Sequence, residues 1–507
     1  MYKNILDYLE NSATKFPGKK AFADKDISCT YEELVKNAKI IGTSLAQYTK
    51  VRNPIPIFME KGVNAVTSFL GTAYAGCFYT LLDSKQPTSR LNQIVATVEP
   101  EVIVVDQSLL EEVKMLSYTG KIVCYQELLS HSIDNDLLEE IRRQALDIDP
   151  LYTNFTSGST GIPKGVVVSH RSVIDFIDCF TDTFQITDVD VIGNQAPFDF
   201  DVSVKDIYGT LKTGATMEII PRQLFSFPVD LLDYICQREV TTLIWAVSAL
   251  CIITTLKGLK YKVPDKLNKI IFSGEVMPIK HLNEWRKYLP DVTYVNVYGP
   301  TEITCNCTYY IVDRDFEPGD VLPIGKPFPN ENVFLIDEDN QLVNEQMTGK
   351  IGEICVSGTA LALGYYNNME QTRKAFIQNP LHNKYLELVY CTGDLAYYNE
   401  SKELCFASRK DFQIKHMGHR IELGEIESAI EIVKGIERIC CIYYEKKSKI
   451  IAFYEGQVDK KQIQSVITTK IPNYMLPNIY SKVERMPITK NGKIDRKKLL
   501  EQYLEGK

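Results

Sequence analysis

The densest run of chemistry-bearing residues is Thr156-Ser157-Gly158-Ser159-Thr160-Gly161-Ile-Pro-Lys164-Gly165. Its glycines let backbone N–H groups crowd around an anion, its hydroxyls add donors, and Lys164 supplies a point charge. That combination predicts a cradle for phosphate. It is not a Walker A loop, because Gly165 follows the lysine where serine or threonine would stand, and no glycine immediately precedes it. Three further clusters combine glycine with polar and charged residues: Asn296-Val-Tyr298-Gly299-Pro-Thr301-Glu302, Tyr390-Cys-Thr-Gly-Asp394 and Asn491-Gly-Lys493-Ile-Asp-Arg496. The Asn-Gly pair of the last tolerates the positive φ of a type I′ turn, which would present Lys493 at a hairpin tip.

The elements that must position these groups follow from the hydrophobic pattern. EVIVVD (101–106), KIVCY (121–125), TTLIWAV (241–247), KIIFSG (269–274) and TYVNVYG (293–299) are short, β-rich and followed by turn residues. Strands buried on both faces have this texture, so the pattern predicts an α/β fold with largely parallel sheets. Segments such as 229–240 between them carry helical periodicity. Around 322–366 shorter alternating strands with Gly, Pro and Asn turns predict an antiparallel β subdomain. The tail predicts a helix (424–433), two strands (439–444 and 449–454) and a helix (459–471), with the boundary near Ser408–Asp411.

The chain has 507 residues, 45% hydrophobic and 24% charged, an ordinary globular composition. Its net charge of −8 argues against a whole-chain nucleic-acid binder. The charge is uneven: residues 408–507 carry 15 Lys and 5 Arg against 13 acidic residues, a net of +7, which leaves −15 for the remainder. Such a basic cap predicts an anionic partner. No apolar run reaches the ~18–20 residues of a membrane span, and Asp7 and Glu10 interrupt any signal-peptide core. Thirteen cysteines without a C-x-x-C pair predict reduced thiols in a cytoplasm and no zinc site. His416 and His419 are spaced to share a helix face, as a polar surface feature rather than a metal site.

Taken together, these motifs resemble the adenylate-forming superfamily, which includes acyl-CoA synthetases, luciferases and the amino-acid adenylation domains of nonribosomal peptide synthetases. The likeness spans nearly the whole chain: Thr30-Tyr-Glu-Glu-Leu34, the 156–165 loop, Asn296–Glu302, Gly352-Glu-Ile through Gly364-Tyr-Tyr, Tyr390–Asp394 and Asn491–Arg496 occur in the family's order. Asn194–Ser203, Gly274-Glu-Val-Met-Pro278 and Asp411-Phe-Gln-Ile-Lys415 look most like D-alanine–carrier protein ligases. The resemblance implies a large N-terminal domain (1–408) of two α/β subdomains plus a small β subdomain, and a small mobile α+β C-terminal domain (409–507), with a hinge near Asp411. It implies ATP and Mg²⁺ as the nucleotide and metal. Tyr298 would lie by adenine, and Asn296 and Gly299 beside it. Thr301 would contact the α-phosphate, Glu302 would hold Mg²⁺, and Asp394 with Arg409 would bind ribose. Lys493 would bridge the attacking carboxylate, and Gly418 would face a pantetheine tunnel after the domain swing. The family's usual Gly-Arg-x-Asp hinge reads Ser408-Arg409-Lys410-Asp411 here.

By the same alignment Asp201 would pair with a substrate α-ammonium, which separates amino-acid-activating members from fatty-acyl and aryl synthetases. Val202, Lys205, Trp245, Ile271, Ser273, Val297, Cys305 and Asn306 would complete the pocket. Lys205 is either an i,i+4 partner of Asp201 or a cation awaiting a side-chain carboxylate. Trp245 would shorten the pocket, and Ser273 stands where D-alanine ligases usually have cysteine. The expected function is an ATP-dependent ligase that adenylates a small or acidic amino acid, then forms a thioester on the phosphopantetheine of a separate carrier protein. The alternatives are a CoA ligase for a carboxylic acid and a non-catalytic binding homologue.

Overall fold

Residues 2–158, 161–488 and 494–505 are described in a computed structural model of the chain. The first 330 residues build two parallel-rich sheets. In one, strands Lys121–Cys124, Val102–Val105, Pro54–Phe58, Phe78–Leu82 and Pro150–Thr156 lie side by side in that order. Antiparallel Lys164–Ser169 and Gly364–Tyr365 extend it. The other has nine strands, with Thr293–Tyr298, Lys269–Ser273, Thr242–Ala246, Val191–Asn194, Thr216–Ile219 and Lys20–Ala23 parallel at its centre. The expected strands are thus present within a residue or two, and the helix expected over 229–240 is Pro228–Gln237. Their apolar runs are buried because helices cover both faces.

Local chemistry fixes several of these elements. Thr30 caps helix Tyr31–Leu45: its side chain accepts from the Glu33 amide while the Glu33 carboxylate accepts from the Thr30 amide. This reciprocal cap, worth ~1 kcal/mol, is the physical content of the Thr30–Leu34 motif. Helix Val202–Thr213 ends at Gly214, whose φ of 76° closes it with a left-handed cap.

A third, antiparallel sheet joins Leu342–Val343, Glu331–Ile336, Gly352–Gly358, Leu388–Tyr398 and Phe376–Gln378, with Leu404–Arg409 paired to Leu388–Tyr398. It therefore runs well past the expected 322–366. The remaining chain forms hairpin Gln413–His416/His419–Glu422, helix Leu423–Glu431, strands Ile436–Tyr444, Lys449–Gly456 and Ile479–Lys482, and helices Lys460–Ile467 and Arg496–Glu505. His416 and His419 are corrected here: they pair across the hairpin rather than lie on a helix. Met417 and Gly418 both have positive φ (53° and 80°), which a tight two-residue turn requires.

Among the described residues, no apolar cluster mixes the chain before Leu404 with the chain after Ile414: each lobe closes its own core. The seam between them is polar. Arg90 and Glu425, 3% and 4% exposed, form an ion pair across it, and Ser89 donates to the Thr469 carbonyl. His419 stacks on Tyr474 and meets the edge of Phe200. No helix among the described residues is long and apolar enough to cross a membrane.

Candidate active site

The phosphate-binding candidates sit where strands Pro150–Thr156 and Lys164–Ser169 of the first sheet meet the C-terminal hairpin. A Cβ on Gly158 would fall 2.0 Å from the Ile162 carbonyl oxygen, so only glycine permits this backbone approach. Gly161 has a φ of 79°. The Thr156 hydroxyl is buried without a partner among the described residues. Ser157 Oγ donates to the Arg420 carbonyl and accepts from the Glu422 amide. Lys164 lies over the Tyr365 ring, and burial pushes its ammonium below the usual lysine range, with Arg420 adding to the effect. Ser159, Thr160 and Lys493, with the Asn491-Gly492 turn, lie outside the described residues.

The end of strand Thr293–Tyr298 carries the second group. Tyr298 donates to Asp394 Oδ2 at 2.5 Å, and Arg409 Nη1 donates to Asp394 Oδ1 at 2.6 Å. The same guanidinium grips Asp411 through Nε and Nη2 at 2.7 and 2.8 Å. Arg409 thus ties the expected ribose carboxylate to the expected hinge. Asp394 projects from a bulge: Glu353 pairs with Leu395 and Cys355 with Cys391, which leaves Thr392-Gly393-Asp394 to protrude, with Gly393 at φ 73°. Asn296 is held by the Pro323 carbonyl. Gly299 packs against Asn306, its hypothetical Cβ 2.4 Å from Asn306 Cα.

Glu302 is fully buried yet ionised. Burial raises its pKa, but the Arg420 guanidinium and Lys164 ammonium outweigh that and hold it at about 2. Arg420 Nη1 donates to Oε2 at 2.6 Å and Tyr365 OH to Oε1 at 2.8 Å. An ionised carboxylate beside a phosphate cradle is a donor set that fits Mg²⁺, which would polarise phosphate oxygens there. Arg420 and Tyr365 were missed in the sequence. Tyr365 falls in the Gly364-Tyr-Tyr motif without a role attached, and the signal for Arg420 is strand alternation, which puts it opposite Lys415 in the hairpin register. Lys415 lies over the Tyr298 ring, 5.4 Å from its centre.

The amino-acid pocket candidates gather at the start of helix Val202–Thr213. Asp201 precedes it, Val202 opens it and Lys205 is fully buried in its first turn. Burial raises the Asp201 pKa, partly offset by the Thr301 hydroxyl and Lys205. Cys305 Sγ donates to the Asp201 carbonyl at 2.9 Å, and Lys205 Nζ donates to Asn306 Oδ1 at 2.6 Å. Among the described residues Lys205 has no carboxylate within ion-pair distance, Asp201 included. Ile271, Ser273 and Val297 alternate onto one face of the second sheet, and Ile271 and Val297 join the same apolar cluster as Cys305. Trp245 does not share that face. It packs with Phe272 and Leu243 in the cluster on the other side, donates to the Gly193 carbonyl and meets Phe225 edge-on. The expected shortening of the pocket by Trp245 is therefore corrected: strand alternation turns Ala246 the other way. Gly418, at the hairpin tip, donates its amide to Glu275 Oε1 at 2.9 Å, and a Cβ there would lie 3.0 Å from Ala246 Cβ.

Fold and sequence together define an adenylate-forming enzyme. The chain belongs to the AMP-binding enzyme family, whose match covers residues 9–366. Zwittermicin A synthase ZmaJ of Bacillus cereus is 30% identical over 509 residues, which is 98% of this chain and 94% of that protein. Tyrocidine synthase 1 of Brevibacillus parabrevis is 30% identical over 99% of this chain, and the chain spans only 45% of that protein's length. The fold is that of the Vibrio cholerae adenylation domain AlmE, solved with glycyl-adenosine-5′-phosphate (TM-score 0.85, 22% identity, 100% of this chain and 98% of that one). It is equally that of PA1221, a nonribosomal peptide synthetase protein containing adenylation and carrier domains (TM-score 0.83, 24% identity, 99% and 84%).

Proposed function

We propose that the protein is an ATP-dependent amino acid–carrier protein ligase acting on a small or acidic amino acid. The amino-acid carboxylate oxygen attacks the α-phosphorus of ATP and pyrophosphate leaves, forming an aminoacyl-adenylate. A phosphopantetheine thiol then attacks the acyl carbon and AMP leaves. The observation that carries the reading is Asp201, a buried carboxylate beside Thr301 with no ion-pair partner among the described residues, which suits a substrate α-ammonium and disfavours plain acids. In the first step Thr301 would orient the α-phosphate, Glu302 would hold Mg²⁺, and Lys493 would offset charge on the entering carboxylate. Asp394 and Arg409 would hold ribose.

The second step needs the C-terminal domain, residues 409–507, to turn about Asp411 and bring Gly418 to the thiol's path. Support comes from Gly418 lying between Ala246 and Glu275. The basic tail suits an acidic carrier protein, raising its association rate. Amino-acid-dependent ATP–pyrophosphate exchange tests the reading. Exchange with an amino acid supports it, exchange only with acids lacking an amino group turns it into a CoA-ligase type, and none with any acid removes it.

A further inference from the structure

Resting on the adenylation reading, we propose that the amino acid activated carries a side-chain carboxylate, gripped by a two-donor clamp made of Lys205 Nζ and Asn306 Nδ2. Lys205 can only donate, so its bond to Asn306 fixes the amide with Oδ1 toward the ammonium and Nδ2 turned away. That Nδ2 makes no hydrogen bond among the described residues, and it is not among the sealed, unpartnered atoms. The ammonium has two donors left. Lys205 and Asn306 come from separate elements, a helix and the loop after Thr301–Ile303, and the hydrogen bond locks them as one unit. A carboxylate with two oxygens matches two such neighbouring donors.

The charges around Lys205 point the same way. Its ionisable neighbours are Asp201, Asp206 and Cys305, with Lys61 reaching in from the neighbouring cleft and Glu302 and Lys415 acting on Asp201 from the nucleotide side. Asp206 is fully buried, holds Asn194 through Oδ2 and leaves Oδ1 unpartnered among the described residues. Lys61 donates to Asn194 Oδ1 and to the Gln195 backbone carbonyl. Once a substrate ammonium pairs with Asp201, Lys205 is left with a neutral amide as its hydrogen-bond partner among the described residues, and a side-chain carboxylate supplies the anion it lacks. The Tyr152 hydroxyl, buried near Cys305 and Asp201, is a further polar group without a partner among the described residues. With Trp245 on the far face of the sheet, the bulk expected to shorten the pocket is absent from this wall.

The test is pyrophosphate exchange with aspartate, glutamate and 2-aminoadipate in both configurations, against their side-chain amides, glycine and D-alanine. The expected result is one diacid preferred over its own amide by at least about a hundredfold in kcat/KM, since the amide leaves the ammonium unpaired. Lys205→Met, which keeps the volume, should collapse that diacid-to-amide ratio at least about tenfold, and Asn306→Ala should lower it less. Circular dichroism and AMP binding verify that each variant is folded. If Lys205→Met is unfolded, the wild-type ratio alone decides. Preference for a neutral amino acid, or an unchanged ratio in folded Lys205→Met, overturns the clamp while leaving adenylation intact. Absence of exchange with every amino acid overturns the adenylation reading itself.

Discussion

Lys415 and Arg420 sit opposite one another on the Gln413–Glu422 hairpin, and that one rung sends two cations into the nucleotide site. Lys415 covers the Tyr298 ring and Arg420 holds Glu302. A carboxylate engaged by a guanidinium is not free to bind a metal ion. In this arrangement the C-terminal lobe therefore occupies the place at Glu302 where the proposed first step would hold Mg²⁺, and that step would need Arg420 to withdraw.

Arg420→Ala should accordingly weaken the second half-reaction more than the first. Thioester formation on a carrier protein is expected to fall at least about tenfold, the scale of losing a charge-assisted hydrogen bond of 1.5–3 kcal/mol. Pyrophosphate exchange should change by less. Radiolabelled amino-acid loading and exchange on the same preparation make the comparison, and equal losses in both would reject this role.

Gly418→Val adds a Cβ 3.0 Å from Ala246 Cβ at a φ that β-branched residues avoid. Carrier loading should drop at least about tenfold while the KM for ATP moves little. A variant that loads normally would show that the hairpin tip is not on the thiol's path.

Asp394→Ala removes the acceptor shared by Tyr298 and Arg409. The KM for ATP should rise about tenfold or more, with a smaller effect on the KM for the amino acid, because only the nucleotide end of the site loses a partner. Initial-rate exchange at varied ATP distinguishes the two.

His170 is buried and its Nδ1 accepts from the Ile5 amide, so the neutral ring is the folded form. Burial, then Arg142, lowers its pKa to about 4, against ~6.5 in an unfolded chain. Above pH 6.5 neither state takes the proton. Between 6.5 and 4 only the unfolded chain does, so stability falls with pH, by about 2 kcal/mol from 6.5 to 5 for this one group. Urea unfolding at pH 7 and pH 5 should show the loss, and His170→Gln should reduce it. Identical pH sensitivity in the variant would assign the effect to other groups.

Much of this was legible in the sequence because it is local. Apolar runs such as 102–105 and 270–272 lie in strands buried on both faces, and Thr30 with Glu33 is a self-contained cap. Likewise, the close backbone approach at Gly158 falls inside the Gly- and hydroxyl-rich run Thr156–Lys164 that composition alone singles out. What stayed hidden depends on which face a side chain takes and on contacts across hundreds of residues. Trp245 looked like a pocket wall because alignment gives position without orientation, and one step along a strand reverses the face. His416 and His419 fit a helical spacing, but the positive-φ pair between them makes a hairpin. The Arg420–Glu302 and Arg90–Glu425 contacts join residues 118 and 335 positions apart, which no local pattern encodes.

The separate cores of the two lobes have a mechanical corollary. A hinge that moves in every turnover would fatigue a protein whose interior straddled it, since each excursion would wet apolar side chains and invite association with neighbours. Here the facing surfaces are lined with ions, hydroxyls and aromatic rings, groups that water can receive in place of one another. The proposed swing would thus be an exchange of polar partners, and its rate would be a property of the seam rather than of overall folding stability.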